Sequence, residues 1–186
     1  MGLDEAGRGP LAGPVTAAAV MLAPDFDTKG FEKVNDSKKI SLRTRERLYE
    51  ALISNSKVTY KISWTGPAVI DRINILEATK RTMKRCVRGA EKEAGRKADL
   101  LYIDGNFTLD LAREQRPVRG GDGRVFSCAC ASILAKVFRD RSMRRYHHLF
   151  PEYGFDRHKG YPTAGHRSAV KKYGPCRIHR RSFKLT

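Results

Sequence analysis

An almost uninterrupted apolar run at residues 15–22 constrains the fold of this chain more than any other segment. It shows no alternation between polar and apolar positions, which is typical of a strand buried on both faces. Residues 1–4 have the composition of a second strand, and a glycine-rich turn separates the two segments. The N-terminus therefore predicts a hairpin in which one strand is covered on both sides.

Strand and helix signals continue along the rest of the chain. Strands are predicted at residues 58–63 and 100–103, and residues 107–122 are predicted as a loop or a pair of short strands. Predicted helices begin at the N-cap Ser41, at Pro67, at Ile75, at the N-cap Ser127 and at the N-cap Thr163. This order favours one globular domain built on a mixed α/β sheet, with its functional site at an edge of the sheet.

The charge of the chain indicates the kind of partner. There are 37 lysines and arginines against 20 aspartates and glutamates, which gives a formal net charge of +17. Such an excess is typical of proteins that bind a polyanion, most simply a nucleic acid. The arginines of the helix after Ser127 and of the basic tail are predicted to hold phosphates without sequence preference, with an affinity that falls as salt rises. The helix arginines are Arg139, Arg141, Arg144 and Arg145.

Several acidic residues follow predicted strands in this basic chain. Asp4 and Glu5 stand at the end of the first predicted strand, and Asp104 follows the strand at 100–103. Carboxylates beside a phosphate-binding surface are what two-metal phosphoryl transfer requires. Oxygen ligands of this kind suit Mg²⁺, and Mn²⁺ could substitute for it. Asp122 supplies a fourth candidate ligand.

Structural explanations compete with this interpretation. Neighbouring side chains of a regular strand point to opposite faces, so Asp4 and Glu5 can share a site only if the strand breaks there. The glycines that follow them supply such a break. Asp104 and Asp122 each stand beside a glycine, and by spacing alone they are more typical of turn residues than of ligands.

Other classes of protein fit the sequence poorly. No stretch reaches the roughly 18 apolar residues of a membrane span, and early charges interrupt any secretory signal, so a soluble, cytoplasmic protein is expected. The cysteines lack paired C-x-x-C spacing, which favours buried thiols over a zinc site. Residues 2–8 have the glycine spacing of a phosphate-binding loop, but the two acids inside it would repel phosphates.

Six short motifs occur in order along nearly the whole chain. They are Asp4-Glu5-Ala6-Gly7-Arg8-Gly9, Asp36-Ser37-Lys38-Lys39, Tyr102-Ile103-Asp104-Gly105-Asn106, Ala131-Ser132-Ile133-Leu134-Ala135-Lys136-Val137, His158-Lys159-Gly160-Tyr161 and His179-Arg180-Arg181-Ser182-Phe183. Together they resemble the motifs of ribonuclease HII, the type 2 ribonuclease H family. The resemblance implies a ribonuclease H-like fold, in which helices flank a mixed five-stranded sheet and a helical C-terminal extension follows.

The resemblance also implies a domain organisation and an activity. Residues 1–150 would form the catalytic domain, and residues 151–186 an extension that packs on it and contributes to substrate binding. The implied activity is endonucleolytic cleavage of the RNA strand of RNA–DNA hybrids, and incision of duplex DNA on the 5′ side of single embedded ribonucleotides. The products would carry 3′-hydroxyl and 5′-phosphate ends, and a monomer without membrane contact would act in ribonucleotide and RNA primer removal.

By similarity to the family, four acids would hold two catalytic Mg²⁺ ions, with Mn²⁺ as the substitute. These acids are Asp4, Glu5, Asp104 and Asp122, and Asp140 is the competing candidate for the fourth position. The metals would lower the pKa of a bound water and place it in line with the phosphodiester.

The resemblance assigns substrate contacts to a further set of residues. Backbone groups of Gly7, Arg8 and Gly9 would hydrogen-bond the 2′-hydroxyl of the ribonucleotide. Tyr161 would stack on the next deoxyribose, and Lys38 would contact a phosphate beside the scissile bond. A DNA junction resolvase of the same fold and a non-enzymatic nucleic-acid-binding module remain the alternative functions.

Overall fold

The computed structural model describes residues 1–36 and 40–185. The strands are Gly2–Ala6 (β1), Val15–Leu22 (β2), Val58–Thr65 (β3), Leu100–Asp104 (β4) and Glu114–Val118 (β5). The helices are Leu42–Ile53 (α1), Pro67–Ile73 (α2), Ile75–Ala94 (α3), Phe126–Leu149 (α4), Phe155–His158 (α5) and Ala164–Tyr173 (α6). In the described part of the chain, no helix combines the length and the apolar character needed to cross a membrane.

The five strands form one mixed sheet in the order β3-β2-β1-β4-β5. The pairs β1–β2 and β2–β3 are antiparallel, whereas β1–β4 and β4–β5 are parallel. The predicted mixed five-stranded sheet is therefore confirmed. Because β1 and β4 run in the same direction, their carboxyl ends meet at one edge of the sheet.

Strand β2 is buried on both faces, as the sequence predicts. Ala17 and Ala19 pack in the apolar core formed with α3, whereas Ala18 and Val20 pack in the core formed with α4. Side chains alternate between the two faces of a strand, so one apolar run serves both cores. Helices consequently cover the sheet on both sides.

The predicted helix boundaries hold with one exception. Ser41 and Thr163 are N-caps whose hydroxyls accept hydrogen bonds from the backbone N–H groups of Thr44 and His166. The prediction that Ser127 caps α4 is wrong, because the helix begins at Phe126 with Val125 in the capping position. Ser127 lies inside the first turn and packs directly against Gly2 of β1.

The segment at residues 107–122, which the sequence predicts as a loop or a pair of short strands, contains one strand, β5, at an edge of the sheet. This strand pairs only with β4, and most of its side chains are exposed or half-buried. Pro117 lacks a backbone N–H, and an edge strand tolerates this because one side of it has no partner. A short polar strand of this kind carries no apolar signal in the sequence.

The segment after residue 150 packs on α4 and on the loop between β1 and β2. Its apolar side chains Tyr153, Phe155 and Val170 form one buried cluster with Met143 of α4 and Ala12 of the loop. A backbone bridge between Ala12 and His179 joins the C-terminal tail to the same loop. The C-terminal segment thus supports the turn that follows β1.

Candidate metal centre and nucleic-acid interface

Three aspartates meet where the carboxyl ends of β1 and β4 come together. Asp4 lies in β1 and Asp104 is the last residue of β4. Asp122 belongs to the short turn Gly121–Gly123, which is held in place because the Gly121 N–H donates to Asp104 Oδ1 at 2.9 Å. One carboxylate oxygen from each aspartate lies within 4.8 Å of the other two. The topology of the sheet therefore brings these residues together from distant parts of the sequence.

Glu5 lies beside this group of aspartates. Strand β1 continues through Glu5 to Ala6 in register with β2, so the predicted break comes after Glu5 instead of at it. Glu5 therefore keeps the strand alternation and is outside the group of three, although it lines the same cavity. Its Oε1 is 3.5 Å from Arg8 Nη1, and its buried Oε2 has no hydrogen-bond partner among residues 1–36 and 40–185.

Burial and mutual repulsion perturb two of the carboxyl groups. Burial raises the pKa of Asp4 well above its ordinary value, and the negative charges of Glu5 and Asp104 raise it further. Hydrogen bonds from Ser132 and from the Glu5 backbone N–H oppose this increase. Burial raises the pKa of Glu5 to about 7, although the nearby Arg8 acts in the opposite direction. The site therefore binds protons readily when no other cation neutralises it.

These groups fit a divalent metal ion. Their oxygens are the hard ligands that Mg²⁺ and Mn²⁺ take. The close approach of Asp4, Asp104 and Asp122 is unfavourable for three negatively charged groups, and a bound cation would remove the repulsion. The unpartnered Glu5 Oε2 offers one more oxygen to the same cavity. The predicted acids therefore form a donor set suited to a metal.

The competing acid Asp140 lies outside this group. Its Oδ1 accepts a hydrogen bond from Lys136 Nζ at 2.8 Å, one helical turn earlier on α4. An i,i+4 ion pair of this kind stabilises a helix without any metal. The structure thus brings Asp122 together with Asp4 and Asp104, and it leaves Asp140 in an ion pair.

Four of the five substrate-contact candidates border the same cavity, which has a volume of about 450 Å³. Gly7, Arg8 and Gly9 form the turn that follows β1, and Tyr161 approaches from the C-terminal segment. Tyr161 is 41% exposed, which is unusual for a large aromatic side chain that also borders a cavity. A Cβ placed on Gly9 would lie 3.8 Å from its ring, so the turn and the tyrosine are neighbours. Lys38 lies outside the described residues.

Sequence reasoning missed three residues that line this cavity: Arg45, Ser132 and Lys136. Ser132 forms a side-chain hydrogen bond with Asp4, which lowers the pKa of this carboxyl group against the effect of burial. The signal of Ser132 in the sequence is a hydroxyl among the apolar residues of the first half of α4, where a polar group needs a partner. Arg45 reaches the cavity from α1 and also donates to the Ile40 carbonyl at 3.2 Å.

The prediction that the arginines of α4 hold phosphates is wrong for Arg139. Its side chain is fully buried and donates to the backbone carbonyls of Ala12 and Pro14. Arg141 and Arg144 are both engaged in ion pairs with Glu46 of α1. The arginines of α4 therefore have structural roles that the basic composition of the helix does not reveal.

We expect divalent metal to stabilise the protein more at pH 8 than at pH 5.5. Between pH 4.5 and about 7, folded Glu5 binds more protons than unfolded Glu5, so its contribution to stability falls as pH rises through this range. Metal needs the ionised carboxylates, and a concentration 100 times the dissociation constant adds about 2.7 kcal/mol. Thermal unfolding should show a rise in Tm of about 5–10 °C at pH 8.

The comparison in this experiment is the rise in Tm on replacing chelator by Mg²⁺ or Mn²⁺ at each pH. At pH 5.5, protonation of Glu5 and Asp4 competes with the metal, so the increase should be less than half as large. An equal or larger increase at pH 5.5 would show that the metal binds elsewhere.

Comparisons with known proteins identify relatives of this chain over nearly its whole length. The family model for ribonuclease HII matches residues 1–186. Ribonuclease HII of Syntrophotalea carbinolica is 46% identical over 183 residues, which are 98% of this chain and 84% of that protein. The crystal structure of ribonuclease H2 from Pyrococcus horikoshii OT3 superposes with a TM-score of 0.72 at 27% identity, covering 99% of this chain and 93% of that one.

A third relative shares the fold at lower identity. The structure of Bst-RNase HIII in complex with Mn²⁺ superposes with a TM-score of 0.73 at 19% identity, covering 100% of this chain and 67% of that one. The match to the family model spans the whole chain, and the sequence similarity to a curated relative spans nearly all of it. This chain therefore belongs to the ribonuclease HII family.

Proposed function

We propose that this ribonuclease H, a hydrolase of RNA in RNA–DNA hybrids, also incises duplex DNA on the 5′ side of a single embedded ribonucleotide. The products would be 3′-hydroxyl and 5′-phosphate ends. One observation carries the proposal: the cavity that contains Asp4, Asp104 and Asp122 is also bordered by the Gly7–Arg8–Gly9 turn. A hydrolytic centre and a set of backbone groups able to contact a ribose thus adjoin each other.

Asp4, Asp104 and Asp122 would hold divalent cations in this enzyme, and Glu5 would contribute from the side of the cavity. When bound, such ions activate water and stabilise the charge that develops on the leaving oxygen. We propose Mg²⁺ as the resident ion, with Mn²⁺ as the substitute, on the basis of the all-oxygen donor set. Ser132 would keep Asp4 oriented, since it donates a hydrogen bond to that carboxylate.

Recognition of the ribonucleotide would depend on the turn Gly7–Arg8–Gly9. A 2′-hydroxyl distinguishes RNA from DNA and can both donate and accept hydrogen bonds. The absence of a side chain at Gly9, beside the Tyr161 ring, permits close approach of the backbone to a sugar. The hydrolytic step leaves the 2′-hydroxyl intact, so its part in the reaction is to be recognised.

Outer contacts would come from Lys38, from Tyr161 and from the rest of the C-terminal segment. Lys38 would contact a phosphate next to the scissile bond, and Tyr161 would pack on the deoxyribose of the following nucleotide. We propose that residues 151–186 act as an extension of the catalytic domain at 1–150, because they place Tyr161 beside the cavity. The formal charge of +17 supports binding to the phosphates along the duplex.

Replacing Tyr161 by Ala should lower kcat/KM for a duplex with one ribonucleotide about tenfold. The exposed ring would lose apolar contact with a sugar, which is worth roughly 1–2 kcal/mol. Tyr161→Phe keeps the ring and is the matched control, so its kcat/KM should stay within about twofold of the original. Equal losses in both variants would assign the effect to the hydroxyl group, and no loss in either would remove Tyr161 from the interface.

A substrate panel tests the proposed function. The protein is incubated with four labelled substrates: an RNA–DNA hybrid, a DNA duplex with one ribonucleotide, the same duplex without it, and a branched DNA junction. We expect Mg²⁺-dependent cleavage of the first two alone. Cleavage of the ribose-free junction would favour a resolvase, whereas binding to every duplex without any cleavage would favour a nucleic-acid-binding module.

A further inference from the structure

Two buried arginines lie behind the turn Gly7–Arg8–Gly9. Arg139 of α4 and Arg180 of the C-terminal tail are both fully buried. Arg180 donates to three backbone carbonyls, those of Gly7 at 2.6 Å, Arg8 at 2.9 Å and Gly13 at 3.0 Å. Arg139 donates to two more, those of Pro14 at 3.0 Å and Ala12 at 3.2 Å. The loop between β1 and β2 is therefore held by five hydrogen bonds from two guanidinium groups.

Neither guanidinium forms an ion pair with a carboxylate in the part of the chain that the structure describes. Burial lowers the pKa of Arg139 to about 10 and that of Arg180 to about 9, so both remain positively charged at neutral pH. A buried charge without a counter-ion is costly unless other groups stabilise it. Here the stabilising groups are peptide carbonyls of one loop.

The orientation of the carbonyls fixes the orientation of the neighbouring N–H groups. In a trans peptide the C=O and N–H bonds point in opposite directions, and the described residues contain no cis peptide. The carbonyls of Gly7 and Arg8 point at Arg180, so the N–H groups of Arg8 and Gly9 point away from it. Neither N–H has a hydrogen-bond partner among residues 1–36 and 40–185.

A hydrogen bond to a carbonyl also strengthens the donor at the other end of the same peptide. A charged donor on the oxygen polarises the amide, which makes its N–H more positive. Arg180 acts in this way on two consecutive peptides, those that carry the N–H groups of Arg8 and Gly9. The turn that carries these two oriented and polarised donors lines the same cavity as the aspartates.

We propose that Arg139 and Arg180 are positioning residues for ribose selectivity, because they aim the N–H groups of Arg8 and Gly9 at the 2′-oxygen of the bound ribonucleotide. The inference rests on the proposed function and deepens it. Arg180 acts directly on the turn, whereas Arg139 fixes the end of the loop at Ala12 and Pro14. Neither arginine touches the substrate, and both act through the backbone.

The test compares Arg180→Lys with Arg181→Lys. Lysine keeps the charge but lacks the planar fork that reaches three carbonyls at once. The neighbouring Arg181 is exposed, so its replacement is a matched control with the same change of chemistry. Dissociation constants are measured in chelator, to prevent cleavage, for a duplex with one ribonucleotide and for the same duplex made entirely of DNA.

In Arg180→Lys, we expect the preference for the ribonucleotide duplex to fall at least fivefold while affinity for the all-DNA duplex stays within twofold. Arg181→Lys should keep the original preference. A merely structural role would lower both affinities, or neither, and would leave their ratio unchanged. A folded Arg180→Lys protein with an unchanged ratio would overturn the proposal.

A second measurement needs no variant and decides the matter if Arg180→Lys does not fold. The ¹H–¹⁵N signals of Arg8 and Gly9 are followed in the original protein during titration with each duplex. Both amide protons should shift downfield with the ribonucleotide duplex only, and equal shifts with the two duplexes would overturn the proposal. Cleavage in Mg²⁺ is measured in parallel. Selective binding without cleavage would refute the hydrolytic function alone. Cleavage without selective amide shifts would refute the role of the arginines alone.

Discussion

Replacing Asp104 by Asn should lower kcat/KM for a ribonucleotide-containing duplex by roughly 10³-fold or more, because metal ligation contributes several kcal/mol to phosphodiester hydrolysis. Asp104 belongs to the group of three aspartates whose oxygens lie within 4.8 Å of one another. Asparagine keeps the oxygen that accepts from the Gly121 N–H, so the local structure should persist. The loss of activity would therefore reflect the loss of a charged ligand.

The stability of this variant provides an independent measurement. Removing one negative charge relieves the repulsion that contributes to the raised pKa values of Asp4 and Glu5. In chelator at pH 8 the Tm of Asp104→Asn should therefore equal or exceed that of the original protein. A marked fall in Tm would mean that Asp104 stabilises the fold without a metal.

Asp140→Asn is the matched control for the loss of one carboxylate. Asp140 pairs with Lys136 on α4 and lies outside the aspartate group. Because Asp140 is buried, its replacement should cost about 1–3 kcal/mol of stability, but it should leave kcat/KM within about threefold. If Asp140→Asn were as inactive as Asp104→Asn, the fourth acid would have to be reassigned from Asp122 to Asp140.

Gly7→Ala should destabilise the protein by about 2–4 kcal/mol. The φ angle of Gly7 is +96°, a conformation that residues with a Cβ rarely adopt. An added Cβ would also overlap the buried Arg139 side chain and lie 2.8 Å from the Pro14 carbonyl oxygen. Strain and overpacking each cost about 1–3 kcal/mol, which corresponds to a fall in Tm of about 5–15 °C for a chain of this size.

Gly9→Ala is the control for Gly7→Ala, since it makes the same chemical change two residues along the turn. The Cβ of an alanine at this position would meet only the Tyr161 ring, at an ordinary contact distance of 3.8 Å. Its unfolding free energy in urea should stay within about 0.5 kcal/mol of the original value. Equal stabilities of the two variants would contradict the account of how Arg139 packs beneath Gly7.

Much of the fold could be predicted because its signals are local. The residues of β2 are apolar on both faces of the strand, which predicts burial on both sides. Serine and threonine caps identify the starts of α1 and α6. The edge strand β5 could not be predicted, because its residues Glu114–Val118 are mostly polar and are paired only through β4. A strand stabilised by backbone hydrogen bonds at an edge needs no apolar side chains.

The candidate site also has features that the sequence predicts and features that it does not. Asp4 and Asp104 lie towards the carboxyl ends of β1 and β4, so the parallel pairing of these strands is enough to bring them together. Glu5 lies outside the group of three aspartates because β1 stays paired with β2 as far as Ala6. The sequence spacing of the acids does not show where this pairing ends. The burial of Arg139 and Arg180 depends on carbonyls that are 127 and 172 residues away in sequence, and composition alone makes both arginines look like surface charges.

The most direct test maps the cut in a labelled DNA duplex that contains one ribonucleotide. In Mg²⁺ we expect a single incision immediately on the 5′ side of the ribonucleotide, with 3′-hydroxyl and 5′-phosphate ends, and no incision in chelator or by Asp104→Asn. An incision on the 3′ side that leaves a 2′,3′-cyclic phosphate, or one that persists without metal, would show that the 2′-hydroxyl is the nucleophile and would contradict a metal centre at Asp4, Asp104 and Asp122.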